Sequence, residues 1–164
     1  MSWRLVERNT VRYFELTEGC FSAIYTTKQG QDEVAGNLQP VFLKQVHSDA
    51  IIDVDADRAR TGDGLTTAAG RCVGIKVADC LPVYFFADRR VCVIHCGWRG
   101  IRQGIARKAK RLMGDFRYAL GACIGPCCYE VQADVRDLFI EEYPDAVRSR
   151  DGKFFLDLRS AVIR

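Results

Sequence analysis

The sequence predicts an α+β domain, mixed β-sheets flanked by helices. Three observations carry that reading. Short β-prone runs outnumber amphipathic helices. The runs follow one another rather than alternating singly with helices, which argues against a regular βαβ array. The 164 residues are the size of one core, so residues 1–164 are expected to form a single catalytic domain. No internal repeat or linker is visible.

The elements can be justified in chain order. Residues 12–16, 21–27, 41–46 and 50–54 are β-prone runs divided by turn residues, with a polar loop at 28–33. Thr61-Gly62-Asp63-Gly64 reads as a tight glycine turn. Strands are then expected at 71–78, 82–87 and 91–96, with a turn at Asp88-Arg89. A helix over 98–113 follows from Ile101, Ile105, Ala109 and Leu112, which recur on one face of a 3.6-residue period, and Gly114 is placed to stop it. Residues 118–124 read as a buried strand and 133–142 as a helix ended by Pro144. Residues 154–156 read as a last strand, and Asp157 is placed to cap a closing helix.

Composition removes several function classes. At 48% hydrophobic and 27% charged residues, the chain has enough apolar side chains to fold. No run approaches the roughly 20 apolar residues that cross a bilayer, and Met1-Ser2-Trp3-Arg4 lacks a secretory apolar core. A cytoplasmic protein without a membrane partner is therefore expected. The charge balance, 24 basic against 21 acidic residues, is too even to imply nucleic acid, and the basic face of helix 98–113 reads as a solvated surface. Eight cysteines without an export signal are expected to be reduced, with Cys72, Cys92 and Cys123 serving as small hydrophobes and Cys127-Cys128 as buried or half-exposed thiols. Only two histidines are present, His47 and His95, too few for a trinuclear copper centre in this chain.

The polar residues that remain fall at predicted strand ends. His47 follows 41–46, Cys80 follows 71–78, and His95 closes 91–96. Strand ends deliver side chains to crevices, so the three can converge. Two imidazoles and a thiolate suit a catalytic zinc, which keeps a fourth position open. The bland alternative is three separately packed side chains, since the spacing matches no compact zinc signature. A blue-copper site would need an axial methionine; Met1 and Met113, the only two, lie on no loop with these residues. A metal-free alternative makes Cys80 a nucleophile and His95 its base, for hydrolysis of an amide. The zinc deaminase signature fails at His47-Ser48-Asp49, at His95-Cys96-Gly97 and at Pro126-Cys127-Cys128. Neither a Walker loop nor Gly-x-Gly-x-x-Gly occurs. Gly62, Gly64, Gly97, Gly100 and Gly125 either shape turns or let a phosphate approach the backbone, and Arg99 opens a helix. Asp63 is a turn carboxylate or a substrate contact.

Seven segments occur in one order: Gln45-Val46-His47, Gly62-Asp63-Gly64-Leu65-Thr66, Ala78-Asp79-Cys80-Leu81-Pro82-Val83, His95-Cys96-Gly97-Trp98-Arg99-Gly100, Ile124-Gly125-Pro126-Cys127, Tyr129-Glu130-Val131 and Leu156-Asp157-Leu158. Together they resemble the YfiH-type family of purine nucleoside phosphorylases, formerly labelled laccase-domain or multicopper polyphenol oxidases, over residues 40–158. The resemblance implies a layered α/β sandwich related to toxins of the cytotoxic necrotising type. It implies that His47, Cys80 and His95 bind one zinc and carry catalysis. The implied reactions are phosphorolysis of adenosine, inosine and methylthioadenosine by inorganic phosphate, with deamination of adenosine to inosine; some members are linked to peptidoglycan-precursor editing. On that reading Asp63, Asp79, Arg99 and Gly97 contact substrate, Asp63 or Asp79 alternatively orienting a metal ligand. Two departures stand out. The family's Ser-Leu-Asn-Leu type motif is missing and the segment at 25–40 is short. Family members also continue past Leu-Asp-Leu, so a fragment or a compact member is expected.

Overall fold

The computed structural model describes residues 2–9 and 11–164. Its centre is a five-stranded sheet built from β4 (Ile51–Asp53), β5 (Gly64–Thr67), β6 (Leu81–Phe86), β7 (Val91–Cys96) and β8 (Arg117–Leu120). The spatial order is β4-β5-β7-β6-β8, with β4 parallel to β5 and every other pair antiparallel. The α+β class with mixed pairing is therefore what the chain adopts.

Period-two alternation decides what each face of this sheet does. Leu81, Val83 and Phe85 of β6 and Cys92, Ile94 and Cys96 of β7 enter the main core. That core is closed by α2 (Trp98–Gln103), α3 (Ile105–Met113), α4 (Ala133–Ile140) and α5 (Leu158–Ile163). Val93 of β7 packs with Leu43, Ile52, Val54 and Leu65 in a second cluster. His95 shares the parity of Val93, so the strand that supplies core residues from one set of positions supplies a site residue from the other.

Two smaller antiparallel sheets flank the centre. One is a meander of β1 (Arg4–Arg8), β2 (Val11–Glu18) and β3 (Phe21–Thr26), tied to the central sheet by the Trp3 indole N–H, which donates to the Leu120 carbonyl at 2.8 Å. The other joins β9 (Glu130–Val131), β10 (Val147–Arg150) and β11 (Lys153–Leu156) in the order β10-β11-β9. Asp157 caps α5 as expected, accepting from the Arg159 N–H at 3.1 Å and the Ser160 N–H at 3.3 Å.

Several expectations are corrected. The helix expected over 98–113 breaks at Gly104, whose φ of +92° is left-handed and ends α2 before α3 begins. Its buried stripe ends at Met113, while Leu112 is 45% exposed. The polar loop at 28–33 runs into α1 (Gln31–Leu38), a helix that buries no residue and so leaves no apolar stripe to read. Residues 41–46 and 71–78 form no strand and make only the isolated bridges Val41–Val73 and Lys44–Thr61. Gly64 is the first residue of β5, in the sheet interior, rather than part of a free turn. Strands β1, β9 and β10 lie outside the expected runs, and the strand expected over 118–124 ends at Leu120.

All eight cysteines are free; Cys92 is buried, but Cys72 is exposed and Cys123 half-buried. Cys127 and Cys128 are both exposed, with their sulfurs 3.1 Å apart. Met113 sits in the core, and Met1 lies outside the described residues. Among the described residues no helix is long and apolar enough to cross a membrane.

Candidate metal centre

The structure brings His47, Cys80 and His95 together. One donor atom from each lies within 4.8 Å of the other two, although 33 residues separate the first pair in sequence. The two imidazole rings meet edge to face with centroids 4.9 Å apart. Burial is graded: His95 is buried, Cys80 half-buried and His47 exposed, so the cluster opens to solvent on the His47 side.

Each side chain has a local reason for its place. His95, near the end of β7, is fixed by pairing with Pro82 of β6 and by its N–H, which donates to the Asp63 carbonyl at 2.7 Å. Cys80 immediately precedes β6, whose Leu81 pairs with Cys96, which sets the thiol beside the segment leaving β7. That segment begins with Gly97. A Cβ there would stand 3.0 Å from Cys80 Sγ and 3.1 Å from His47 Cδ2, so glycine is what keeps the space between the two side chains. His47 lies on a loop with φ of +58°, the left-handed region that non-glycine residues seldom enter.

Asp63 compels that conformation. It has no exposed surface. One of its oxygens, Oδ2, accepts from the Val46 N–H at 3.1 Å, the Ser48 N–H at 2.7 Å and the Ser48 hydroxyl at 2.8 Å. The other, Oδ1, accepts from the His47 N–H at 3.0 Å and pairs with His95 Nδ1 at 2.9 Å. Burial alone would push this carboxyl up, but the Ser48 N–H, His95 and the other donors outweigh it and hold it below the usual carboxylate range. The carboxylate is thus shared between the 46–48 backbone and the His95 ring, with no exposed surface.

Of the remaining expected residues, Gly97 is buried. Asp79 and Arg99 are exposed, and the Arg99 guanidinium stacks on the Trp98 ring at 4.5 Å. Sequence reasoning assigned no role to Tyr129, although it lay inside a quoted motif. It is half-buried, and burial raises its phenol; the Cys80 charge adds to the rise and Arg99 opposes it, which places it beside both. The basic face of α3 is largely spoken for. Arg107 pairs with Glu142, as does Arg102 of α2, and Lys108 pairs with Asp49. A separate concavity of about 340 Å³ lies between α3, Tyr143 and α5, and holds none of the three convergent side chains.

The donor set suits a metal ion. It supplies two nitrogens and one sulfur, the chemistry of catalytic zinc sites. Asp63 occupies Nδ1 of His95, which leaves its Nε2 to face a ligand, as carboxylates behind metal-binding histidines do. Burial pushes the Cys80 thiol up, with Asp79 and Asp63 adding to the rise. A catalytic thiolate working without a metal needs the opposite shift, whereas a bound dication would supply the missing positive charge.

The chain is similar to known proteins over most of its length. A family model described as multi-copper polyphenol oxidoreductase laccase matches residues 26–164. A purine nucleoside phosphorylase of Pseudomonas aeruginosa is 34% identical over 140 residues, covering 77% of this chain and 57% of that protein. The crystal structure of YfiH from Bacillus licheniformis superposes with a TM-score of 0.71 at 25% identity, covering 93% of this chain and 74% of that one. YlmD from Geobacillus stearothermophilus superposes with a TM-score of 0.70 at 30% identity, covering 82% and 62%. The chain thus spans little more than half the length of the Pseudomonas relative.

Proposed function

The chain belongs to the YfiH family, the one described as multi-copper polyphenol oxidoreductase laccase, and from that premise we propose that it is a cytoplasmic, zinc-dependent purine nucleoside phosphorylase. The observation that supports this most is the convergence of His47, Cys80 and His95 on one point, with Asp63 buried behind them. Two imidazoles and one thiolate make a mononuclear site; they do not make a multicopper one. The free cysteines suit a reducing compartment.

In the proposed reaction an oxygen of inorganic phosphate attacks the anomeric carbon of inosine, adenosine or methylthioadenosine. A C–O bond forms, the glycosidic C–N bond breaks, and the purine leaves with its bonding pair and takes up a proton. A zinc ion held by His47, Cys80 and His95 would supply Lewis-acid polarisation of an oxygen brought to it. Asp63 keeps His95 in one tautomer and holds the His47 loop in its left-handed turn. Arg99, an exposed side chain, offers positive charge to phosphate, and its stacking on Trp98 limits the arc it sweeps. Asp79, exposed beside Cys80, would accept hydrogen bonds from the ribose hydroxyls, and Gly97 leaves clear the space between Cys80 and His47. Deamination of adenosine at the same centre is the second activity proposed.

The test is release of hypoxanthine from inosine. Release should require phosphate and should disappear in Cys80→Ala and His95→Ala. Full turnover by protein stripped of metal would overturn the reading, and cleavage of an amide without phosphate would move the function to a thiol hydrolase.

A further inference from the structure

Gln45 lies two residues before His47 and has no part in the proposed reaction. Its side-chain amide reaches across to the segment that carries Cys80. Gln45 Nε2 donates to the Lys76 carbonyl at 2.8 Å, and Gln45 Oε1 accepts from the Lys76 N–H at 2.7 Å. Lys76 lies four residues before Cys80. One side chain thus satisfies both backbone groups of one residue, a task that in a sheet falls to a neighbouring strand.

The surrounding backbone shows why a side chain is needed there. Segments 41–46 and 71–78 meet at Val41, whose N–H donates to the Cys72 carbonyl at 2.9 Å and whose carbonyl accepts from the Gly74 N–H at 3.0 Å. By Lys44 the first segment has turned to another partner: the Lys44 N–H donates to the Arg60 carbonyl at 2.7 Å, and its carbonyl accepts from the Gly62 N–H at 3.1 Å. On the second segment, backbone bonding resumes at Asp79, whose carbonyl accepts from the Ile124 N–H at 2.9 Å. Among the described residues, 75–78 make no hydrogen bond other than the two to Gln45.

From this double bond we infer that Gln45 is a positioning residue for the metal site, its amide setting the span between the His47 loop and the Cys80 segment. The inference rests on the reading of His47 and Cys80 as ligands of one ion. Asp63 sets the direction of His47 through the N–H groups of 46–48, but among the described residues it makes no bond to 71–80. Gln45 supplies that missing link. The residue type follows from the task. A carboxylate would accept from the Lys76 N–H but turn a second acceptor on the Lys76 carbonyl, and a thioether of the same length would make neither bond.

The experiment titrates the full chain, freed of metal, with cobalt(II) as a coloured stand-in for zinc. A thiolate-to-cobalt charge-transfer band reports Cys80 in the site. Wild type is compared with Gln45→Met, which keeps the length without the bonds, and with Gln45→Glu, which keeps the acceptor. Thr27→Val cuts a side-chain bond to the Arg12 carbonyl at 2.7 Å, outside the ligand-bearing segments, and controls for lost stability alone. Gln45→Met should bind cobalt about tenfold more weakly, with a weaker band at saturation. Gln45→Glu should fall between it and wild type, and carries the comparison if Gln45→Met does not fold. Thr27→Val should match wild type. Amide hydrogen exchange over 75–78, read on the metal-free chain, should speed up in Gln45→Met alone. Wild-type affinity and band in folded Gln45→Met would overturn the proposal, as would an equal loss in Thr27→Val. A wild type that binds cobalt without the band would contradict the reading of Cys80 as a ligand instead. Exchange over 75–78 would then still decide whether Gln45 holds that segment.

Discussion

Asp63 and His95 are joined twice, once through the backbone, where the His95 N–H donates to the Asp63 carbonyl at 2.7 Å, and once through the side chains at 2.9 Å. The same carboxylate gathers three backbone N–H groups from residues 46–48. One buried acid thereby sets the directions of both imidazoles, one directly and one through the turn that carries it.

Replacing Asp63 by Asn keeps the shape but removes the charge and turns an amide against donors. We expect Asp63→Asn to cost about 3–5 kcal/mol of stability, the scale for breaking a buried ionic network, and to weaken metal binding about 10–100-fold. Urea unfolding and competition with a chelator measure the two separately. Unchanged metal affinity in a folded variant would show that Asp63 does not orient the histidines.

Gly97→Ala tests space rather than charge. Its φ of −80° suits alanine, so the backbone should accept the change. The added Cβ would crowd Cys80 Sγ and His47 Cδ2. The expected result is a melting temperature close to wild type with metal binding weakened at least about tenfold, read by the same chelator competition.

Asp55 supplies a pH prediction away from the site. Its carboxylate accepts from the Ala68 N–H at 2.7 Å, the Thr67 hydroxyl at 2.9 Å and the Ala69 N–H at 3.0 Å. The Ala68 bond first, outweighing the cost of burial with help from Thr67, Ala69 and Arg71, holds this carboxyl below its usual value. Folding therefore favours the ionised form. Its stabilisation is present above the unfolded value of about 3.9 and is lost as pH falls through the folded one. Melting temperatures of wild type and Asp55→Asn should differ near neutrality and converge below about pH 4.

Adjacent residues of α4 should respond oppositely to truncation. Phe139 is fully buried against Tyr143 and the main core, whereas Leu138 is 42% exposed. Phe139→Ala should cost about 3–5 kcal/mol, and Leu138→Ala less than about 0.5 kcal/mol. Denaturant midpoints check both, and equal losses would mean that α4 packs in another orientation.

The legible parts of the fold were those whose side chains alternate or recur against a core. β6 and β7 and the buried stripe of Ile101, Ile105 and Ala109 could be read directly, because burial imposes their period. α1 was illegible for the converse reason, since it buries nothing. The segments at 41–46 and 71–78 have strand-like composition, yet they make isolated bridges only, and composition does not reveal whether a partner is present. At the site, residue type and strand-end position sufficed to nominate His47, Cys80 and His95. The burial of Asp63 was not legible, because a glycine-flanked aspartate looks the same whether it caps a turn in water or collects five donors in the interior. Tyr129 was missed because nothing local separates it from a packing tyrosine; only the fold brings it beside Cys80.

The central claim is that three distant side chains share one ion, and elemental analysis of purified wild type beside Cys80→Ser tests it most directly. About one zinc per chain is expected in wild type, consistent with a three-ligand site, and little or none in folded Cys80→Ser. Equal zinc in both proteins, or none in wild type purified without chelator, would contradict it.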